Sequence, residues 1–424
     1  MRYDVCEFGI VGDGKTNNTE AIKKLIEKIR ASGGELYFPP GEYVTGTIRL
    51  FDNMNVYLEK GAKILGSDDF SDYPKIDEKE VSGYTRCGYS GLITAIGCEN
   101  IGIFGEGEID GRGYNWWQKL PSDTMRPRTI NPILCKNVTI SGISVKNSPC
   151  WSVHPMCSEN VVIENVSVIN PPDSPNTDGI NPESCKNVRI SGCFIDVGDD
   201  CITIKSGTED DILQKSHPCE DIIVENCTMM HGHGGVVIGS EMSGGVKNVT
   251  VENCKFFKTD RGIRLKTRRK RGGCVENISF SGIEMDGVLA AVTFNEYYIC
   301  GAKPDDAELF SNEKMPVGAD TPKISGVSIR DIKAQNVGGV GIYMLGLPEA
   351  PIFDITMENM EISVAGSEEG VDAVMAPGRA KSYGEGIFIE NAENVKINNI
   401  TITCPGEKIV TKNCKNIFIN GEKM

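Results

Sequence analysis

The chain has 424 residues, a formal net charge of −15, four histidines and sixteen cysteines. An acidic balance of that size argues against general nucleic-acid binding, and no apolar stretch is long enough to span a membrane. The cysteines recur singly, none at the Cys-x-x-Cys spacing of a zinc site, so reduced thiols buried as small hydrophobes are expected. The N-terminus lacks a basic segment followed by an apolar run, which favours a cytoplasmic location.

Residues 1–50 read as a cap. Asn17-Asn18-Thr19 offers N-cap side chains, and Ile22, Leu25, Ile26 and Ile29 then fall on one helical face before Gly33-Gly34 ends the pattern. Such a helix suits the open first coil of a solenoid. Residues 51–424 carry a repeat of 22–27 residues, interrupted by insertions. Cys98-Glu99-Asn100-Ile101, Cys135-Lys136-Asn137-Val138, Ser158-Glu159-Asn160-Val161, Cys185-Lys186-Asn187-Val188, Val246-Lys247-Asn248-Val249 and Cys414-Lys415-Asn416-Ile417 each precede a short Val/Ile/Thr-rich run. Three short strands per repeat predict an all-β chain: a right-handed, single-stranded parallel β-helix with an N-terminal capping α-helix, one structural domain overall. The recurring asparagine is expected to stack as a hydrogen-bonded ladder at a turn. Inserts at 67–91, 116–130, 299–322 and 366–386 are candidates for cleft walls. Trp116, Trp117 and Trp151 suit either sugar stacking or core filling.

The chemistry concentrates where the repeat places residues on neighbouring coils. Asn176-Thr177-Asp178-Gly179 and Gly198-Asp199-Asp200 stand one repeat apart, which brings three carboxylates together. Singly each motif is turn chemistry; in register they suit general acid and base work on a glycosidic bond. For Asp199 and Asp200 to serve one site the backbone must bend at Gly198. Three carboxylates in one place should raise at least one pKa. The next repeats bring His231-Gly232-His233-Gly234 and Arg261-Gly262-Ile263-Arg264-Leu265-Lys266. His233 is the best imidazole for the site, with His154 and His217 structural. Arg264 and Lys266, two apart on a strand, share a face and suit a substrate carboxylate. Arg268-Arg269-Lys270-Arg271 reads as a solvated face.

Asn176-Thr177-Asp178, Gly198-Asp199-Asp200, Gly232-His233-Gly234 and Arg264-Leu265-Lys266, in this order, resemble the signature of the polygalacturonases, glycoside hydrolase family 28, and within it the bacterial exo-acting branch. Leu265 stands where the family usually has isoleucine. The resemblance implies a pectin-lyase-like solenoid that hydrolyses α-1,4-galacturonan with inversion and needs no metal or cofactor. It implies Asp199 as general acid, Asp178 and Asp200 holding and activating water, and His233 in support. It also implies Arg264, Lys266, Tyr298 and Asn176 as substrate-binding residues, with an oligogalacturonide or pectin fragment as partner. Long inserts favour release of galacturonate from the non-reducing end. Rhamnogalacturonan or xylogalacturonan hydrolysis, a calcium-dependent lyase and a carbohydrate-binding shaft are the alternatives. The sequence leaves the oligomeric state open.

Overall fold

The computed structural model describes residues 1–77, 79–83, 88–120, 125–302 and 306–424. Parts of three predicted inserts, residues 84–87, 121–124 and 303–305, lie outside the described residues. The chain forms two compact units, Met1–Asp199 with Asp211–Gln214, and Asp200–Asp210 with Lys215–Met424.

Each unit is a stack of coils built from parallel strands, the parallel β-helix the repeat predicts. In the first unit, Glu99–Gly105, Lys136–Ser141, Glu159–Glu164 and Lys186–Ser191 pair in register. A second row joins Glu108–Asp110, Ser144–Lys146, Ser167–Ile169 and Phe194–Val197. The third, Ile48–Leu50, Ile93–Ile96 and Ile130–Ile133, is a three-stranded sheet, continued by single bridges through Val153 to Ile180 and through Met156 to Glu183. Alternation decides what faces inward: Ile101, Val138, Val161 and Val188 stack coil on coil, all buried. Burying one such aliphatic side chain stabilises by about 1.5–3 kcal/mol.

In the second unit the first two rows merge into long strands such as Cys274–Asp286, Lys323–Val337 and Ile352–Val364. The third row is a seven-stranded sheet that includes Ile202–Ile204, Val236–Gly239, Arg261–Lys266 and Ala290–Asn295. This sheet carries Arg264 and Lys266.

The asparagine ladder forms as expected. Asn100, Asn137, Asn160 and Asn187 each donate a side-chain N–H to the residue one coil back, at 2.7–3.0 Å. All four are left-handed, with φ of 55–57°. Asparagine tolerates that conformation while its amide still bonds to the next coil, which accounts for its recurrence.

The capping helix runs Thr19–Ile29 and buries Ile22, Leu25, Ile26 and Ile29. Its start differs from the expectation for Asn18, whose side chain turns away to accept from Val11 N (2.8 Å) and donate to Thr16 O (2.9 Å). Asn17 accepts from Thr19 N instead. Every described cysteine is a free thiol. No helix among the described residues is long and apolar enough to cross a membrane.

Candidate active site

In the first unit, Asp178 lies just before Ile180 in the third row, where the chain turns from one face of the coil to the next. Its carboxylate is buried and accepts from Asn181 Nδ2 at 2.9 Å, and its carbonyl accepts from Ser152 N. The turn leading to it is tied down by a residue the motif search missed. Arg126, fully buried, donates to Pro149 O (2.7 Å), to Pro175 O (2.8 Å) and to Asn176 Oδ1 (2.6 Å). The carboxamide oxygen of Asn176 is thus engaged with Arg126.

The strand Phe194–Val197 ends in a bend at Gly198-Asp199, as the placement of two adjacent aspartates requires. Space, not a positive φ, demands the glycine: a Cβ there would lie 2.6 Å from Ser174 O and 2.7 Å from Pro171 O. Asp199 emerges half-buried, with one of its carboxylate oxygens within 4.8 Å of an oxygen of Asp178.

In the second unit, Asp200 is 1 % exposed and held by two cations. Arg264 Nη1 donates to Oδ1 at 2.9 Å and Lys266 Nζ to Oδ2 at 2.6 Å. Burial pushes the Asp200 pKa up, but Lys266 and Arg264 outweigh it and hold the carboxyl far below the usual range. Crowding of carboxylates predicts a raised value; this residue goes the other way, because each oxygen meets a cation. Arg264 and Lys266 project from one face of Arg261–Lys266, as their spacing predicts, but that face is nearly closed: they are 3 % and 6 % exposed. Gly234 makes room, since a Cβ there would stand 3.1 Å from Asp200 Oδ1 and 3.3 Å from Arg264 Cδ.

His233 is exposed, and its carbonyl accepts from Arg264 at 3.4 Å. The ring of Tyr298 lies under both cations, 5.3 Å from Arg264 Cζ and 4.9 Å from Lys266 Nζ. Its neighbour Tyr297 belongs instead to a hydrophobic cluster with Leu345 and Leu347. Two further residues escaped sequence reasoning. Lys205, buried and paired with Glu241 at 3.1 Å, adds to the positive field on Asp200. Met375, from the insert at 366–386, sets its sulfur 3.1 Å from Arg264 Nη2.

The solvated reading of the basic run is overturned for three of its four members. Arg268, Arg269 and Arg271 are buried. Arg268 and Arg271 share Glu209 at 2.9 and 2.7 Å. Arg269 pairs with Glu349 and donates to the carbonyls of Leu309 and Ser311, which fixes the insert after residue 299. Only Lys270 keeps to the surface, against Asp306. The tryptophans divide as well. Trp116 is buried against Phe70 at 3.7 Å, and Trp151 is buried beside Arg128. Trp117 is half-buried and lines a groove of about 390 Å³ with Tyr114 and Arg112. His154 is structural, its Nε2 on the buried Glu183 at 2.8 Å.

A profile described as glycosyl hydrolases family 28 matches residues 77–380, most of the chain and every residue of the two sites. The chain belongs to glycosyl hydrolases family 28. It is therefore a glycosidase. A second profile, rhamnogalacturonase A/epimerase, pectate lyase-like, matches residues 3–64. Among relatives, a probable polygalacturonase of Vitis vinifera is 33 % identical over 86 % of this chain and 75 % of its own. A hyperthermoactive exopolygalacturonase of Thermotoga maritima, 28 % identical, matches with a TM-score of 0.79 over 95 % of this chain and 92 % of its own. The family 28 exopolygalacturonase of Yersinia enterocolitica, 22 % identical, shares the fold at a TM-score of 0.83, covering 100 % of this chain and 79 % of its own.

Proposed function

We propose that this family 28 glycosidase is a polygalacturonase that hydrolyses α-1,4-galacturonosyl linkages of oligogalacturonides, releasing galacturonate from the non-reducing end with inversion. The observation that carries the substrate class is the buried Arg264 and Lys266 beside Asp200. Beyond keeping Asp200 ionised, two cations at this place suit an anionic sugar unit, a uronate, better than a neutral one. The exo assignment is supported by the Thermotoga and Yersinia enzymes, both exopolygalacturonases.

Asp199, the more accessible carboxyl, protonates the leaving oxygen. Asp200 is a poor base, because a carboxylate held so strongly ionised has little affinity for a proton. Its role is to hold the water, and Asp178 takes the proton. His233 supports the acid. Arg264 and Lys266 bind the substrate carboxylate, with the Tyr298 ring beside both cations.

A double displacement is the second reading, and one distance favours it. The Asp178 and Asp199 oxygens approach within 4.8 Å, closer than the roughly 6.5–9.5 Å usual between carboxyls that invert and nearer the roughly 5–5.5 Å of retaining enzymes. Proton NMR of the first anomer released decides: β-galacturonate supports inversion, and the α-anomer supports a covalent intermediate. A product time course on oligogalacturonides tests the rest. Saturated galacturonate should appear as the sole small product, and Asp199→Asn should lower kcat by about a thousandfold. Early mixed oligomers would mean endo action, an unsaturated product would mean a lyase, and turnover confined to rhamnogalacturonan would overturn the substrate class.

A further inference from the structure

The groove lined by Trp117 lies wholly in the first unit, and at about 390 Å³ it falls within the roughly 300–1,000 Å³ usual for small-molecule sites. It opens where the second-row strands end. Asp110, Asn147 and Pro171 stand at those ends on three successive coils, and the fourth coil carries Gly198-Asp199 there. The wall holds aromatic rings at the surface. Trp117 stays half-buried while Trp116 enters the core, and its indole N–H donates to Pro149 O at 3.1 Å. Gly113 clears the space, since a Cβ there would lie 2.7 Å from the Trp117 ring. Tyr114, 66 % exposed, meets that ring edge-on at 6.5 Å and 75°, so the two form a corner.

The polar groups around the corner are held in place from within the groove. Asp110 accepts from Arg112 N at 2.8 Å and from Asn147 Nδ2 at 3.0 Å. Asp68 accepts from Asn115 Nδ2 at 2.7 Å and stands 3.6 Å from Arg112 Nη1. Each carboxylate oxygen has two lone pairs, so both groups can accept further hydrogen bonds. Two carboxylates against one guanidinium leave the groove net negative. We propose that this groove is a second sugar-binding site, which packs an uncharged pyranose against Trp117 and Tyr114 and takes its hydroxyls on Asp68 and Asp110. The rings offer apolar area at low entropic cost to the C–H face of the sugar, and hydroxyl-to-carboxylate bonds are charge-assisted. A uronate brings like charge and is disfavoured, the reverse of what Arg264 and Lys266 select. The site goes beyond the proposed function and does not depend on it.

Two disaccharides isolate the charge: α-1,4-galactobiose and α-1,4-digalacturonate share a linkage and differ only in carrying a hydroxymethyl group or a carboxylate. Asp199→Asn protein, in which hydrolysis is slowed, is titrated with each. The readout is the indole N–H NMR signal of Trp117, identified by its loss in Trp117→Phe. Galactobiose should move that signal, and digalacturonate should bind there about tenfold more weakly. Adding Tyr114→Ala, a change at an exposed position, should weaken galactobiose about tenfold. Asp68→Asn should narrow the gap between the two sugars, because Arg112 is then left to balance Asp110 alone. A Trp117 signal that neither sugar moves would overturn the site. Equal affinities for the two sugars, or galactobiose binding undiminished by Tyr114→Ala, would overturn the assignment. Binding is read without turnover, so a chain inactive on galacturonides would overturn the proposed function and leave this inference standing.

Discussion

In the second unit Asp200 and Glu296 are both buried carboxyls, and they behave in opposite ways. Asp200 meets a cation on each oxygen and stays ionised. Glu296, 0 % exposed, accepts one backbone N–H from Leu347 at 2.8 Å, and its other oxygen has no hydrogen-bond partner. Burial raises its pKa to about 8, only partly offset by the Leu347 N–H and by Arg269, which is committed to Glu349. Burial is the same in both cases, so the partner decides the charge. A site that needs a fixed anion must bring its cations with it. This one does so through a single strand, Arg261–Lys266.

The largest effect should come from removing a cation. Lys266→Met leaves the Asp200 charge buried and half-paired, at a cost of about 3–5 kcal/mol at neutral pH. Because the folded pKa of Asp200 is depressed, its stabilisation is complete above the ordinary carboxylate value of about 4 and is lost as pH falls below it. The deficit in denaturant midpoint should therefore shrink in acid. Asp200→Asn in the same chain should recover much of it at pH 7. A deficit independent of pH would mean that Lys266 contributes packing and not charge.

Glu296→Gln should show the opposite slope. The folded pKa of Glu296 is raised, so its favourable protonated form is fully kept below about 4.5 and is lost as pH climbs through about 8. The wild type should weaken over that window while the amide does not. The variant should gain on it by roughly 2–4 kcal/mol by pH 8, at about 1.36 kcal/mol per pKa unit. Parallel pH profiles of the two proteins would place a cation at Glu296 after all and end the contrast with Asp200.

Much of this was legible before the structure. The asparagine ladder was, because a left-handed turn recurring once per coil admits few residues and Asn160 also bonds its neighbour coils. The approach of Asp178 to Asp199 in the first unit was, and so was that of Asp200 to Arg264 and Lys266 in the second, because a solenoid turns fixed sequence spacing into spatial proximity. What the sequence hid depends on partners far along the chain. Arg269 finds Glu349 eighty residues away, and a run of charges with no known partner reads as solvated. Met375 sits in an insert with no period at all, and Glu296 is an ordinary acid until the coils around it exclude water. Trp116 could not be assigned to the core without its stack on Phe70.

Glu209 offers an intermediate case between the two buried carboxyls, and it should yield the smallest effect. Like Asp200 it meets two cations, here the guanidiniums of Arg268 at 2.9 Å and Arg271 at 2.7 Å, but its side chain is 30 % exposed. Burial raises its pKa, and Arg271, then Arg268, bring it below the ordinary value. Arg271→Met leaves Arg268 and solvent to compensate, so about 1 kcal/mol should be lost, against several for Lys266→Met. Salt should separate the two further. A partly solvated pair is screened at 1 M ionic strength, where the Debye length is about 3 Å, and a fully buried one is screened much less. If Arg271→Met costs as much as Lys266→Met and is equally insensitive to salt, partner number alone governs these carboxylates and exposure is irrelevant. If its smaller cost fades in salt while the other persists, burial sets the scale and the cations set the sign.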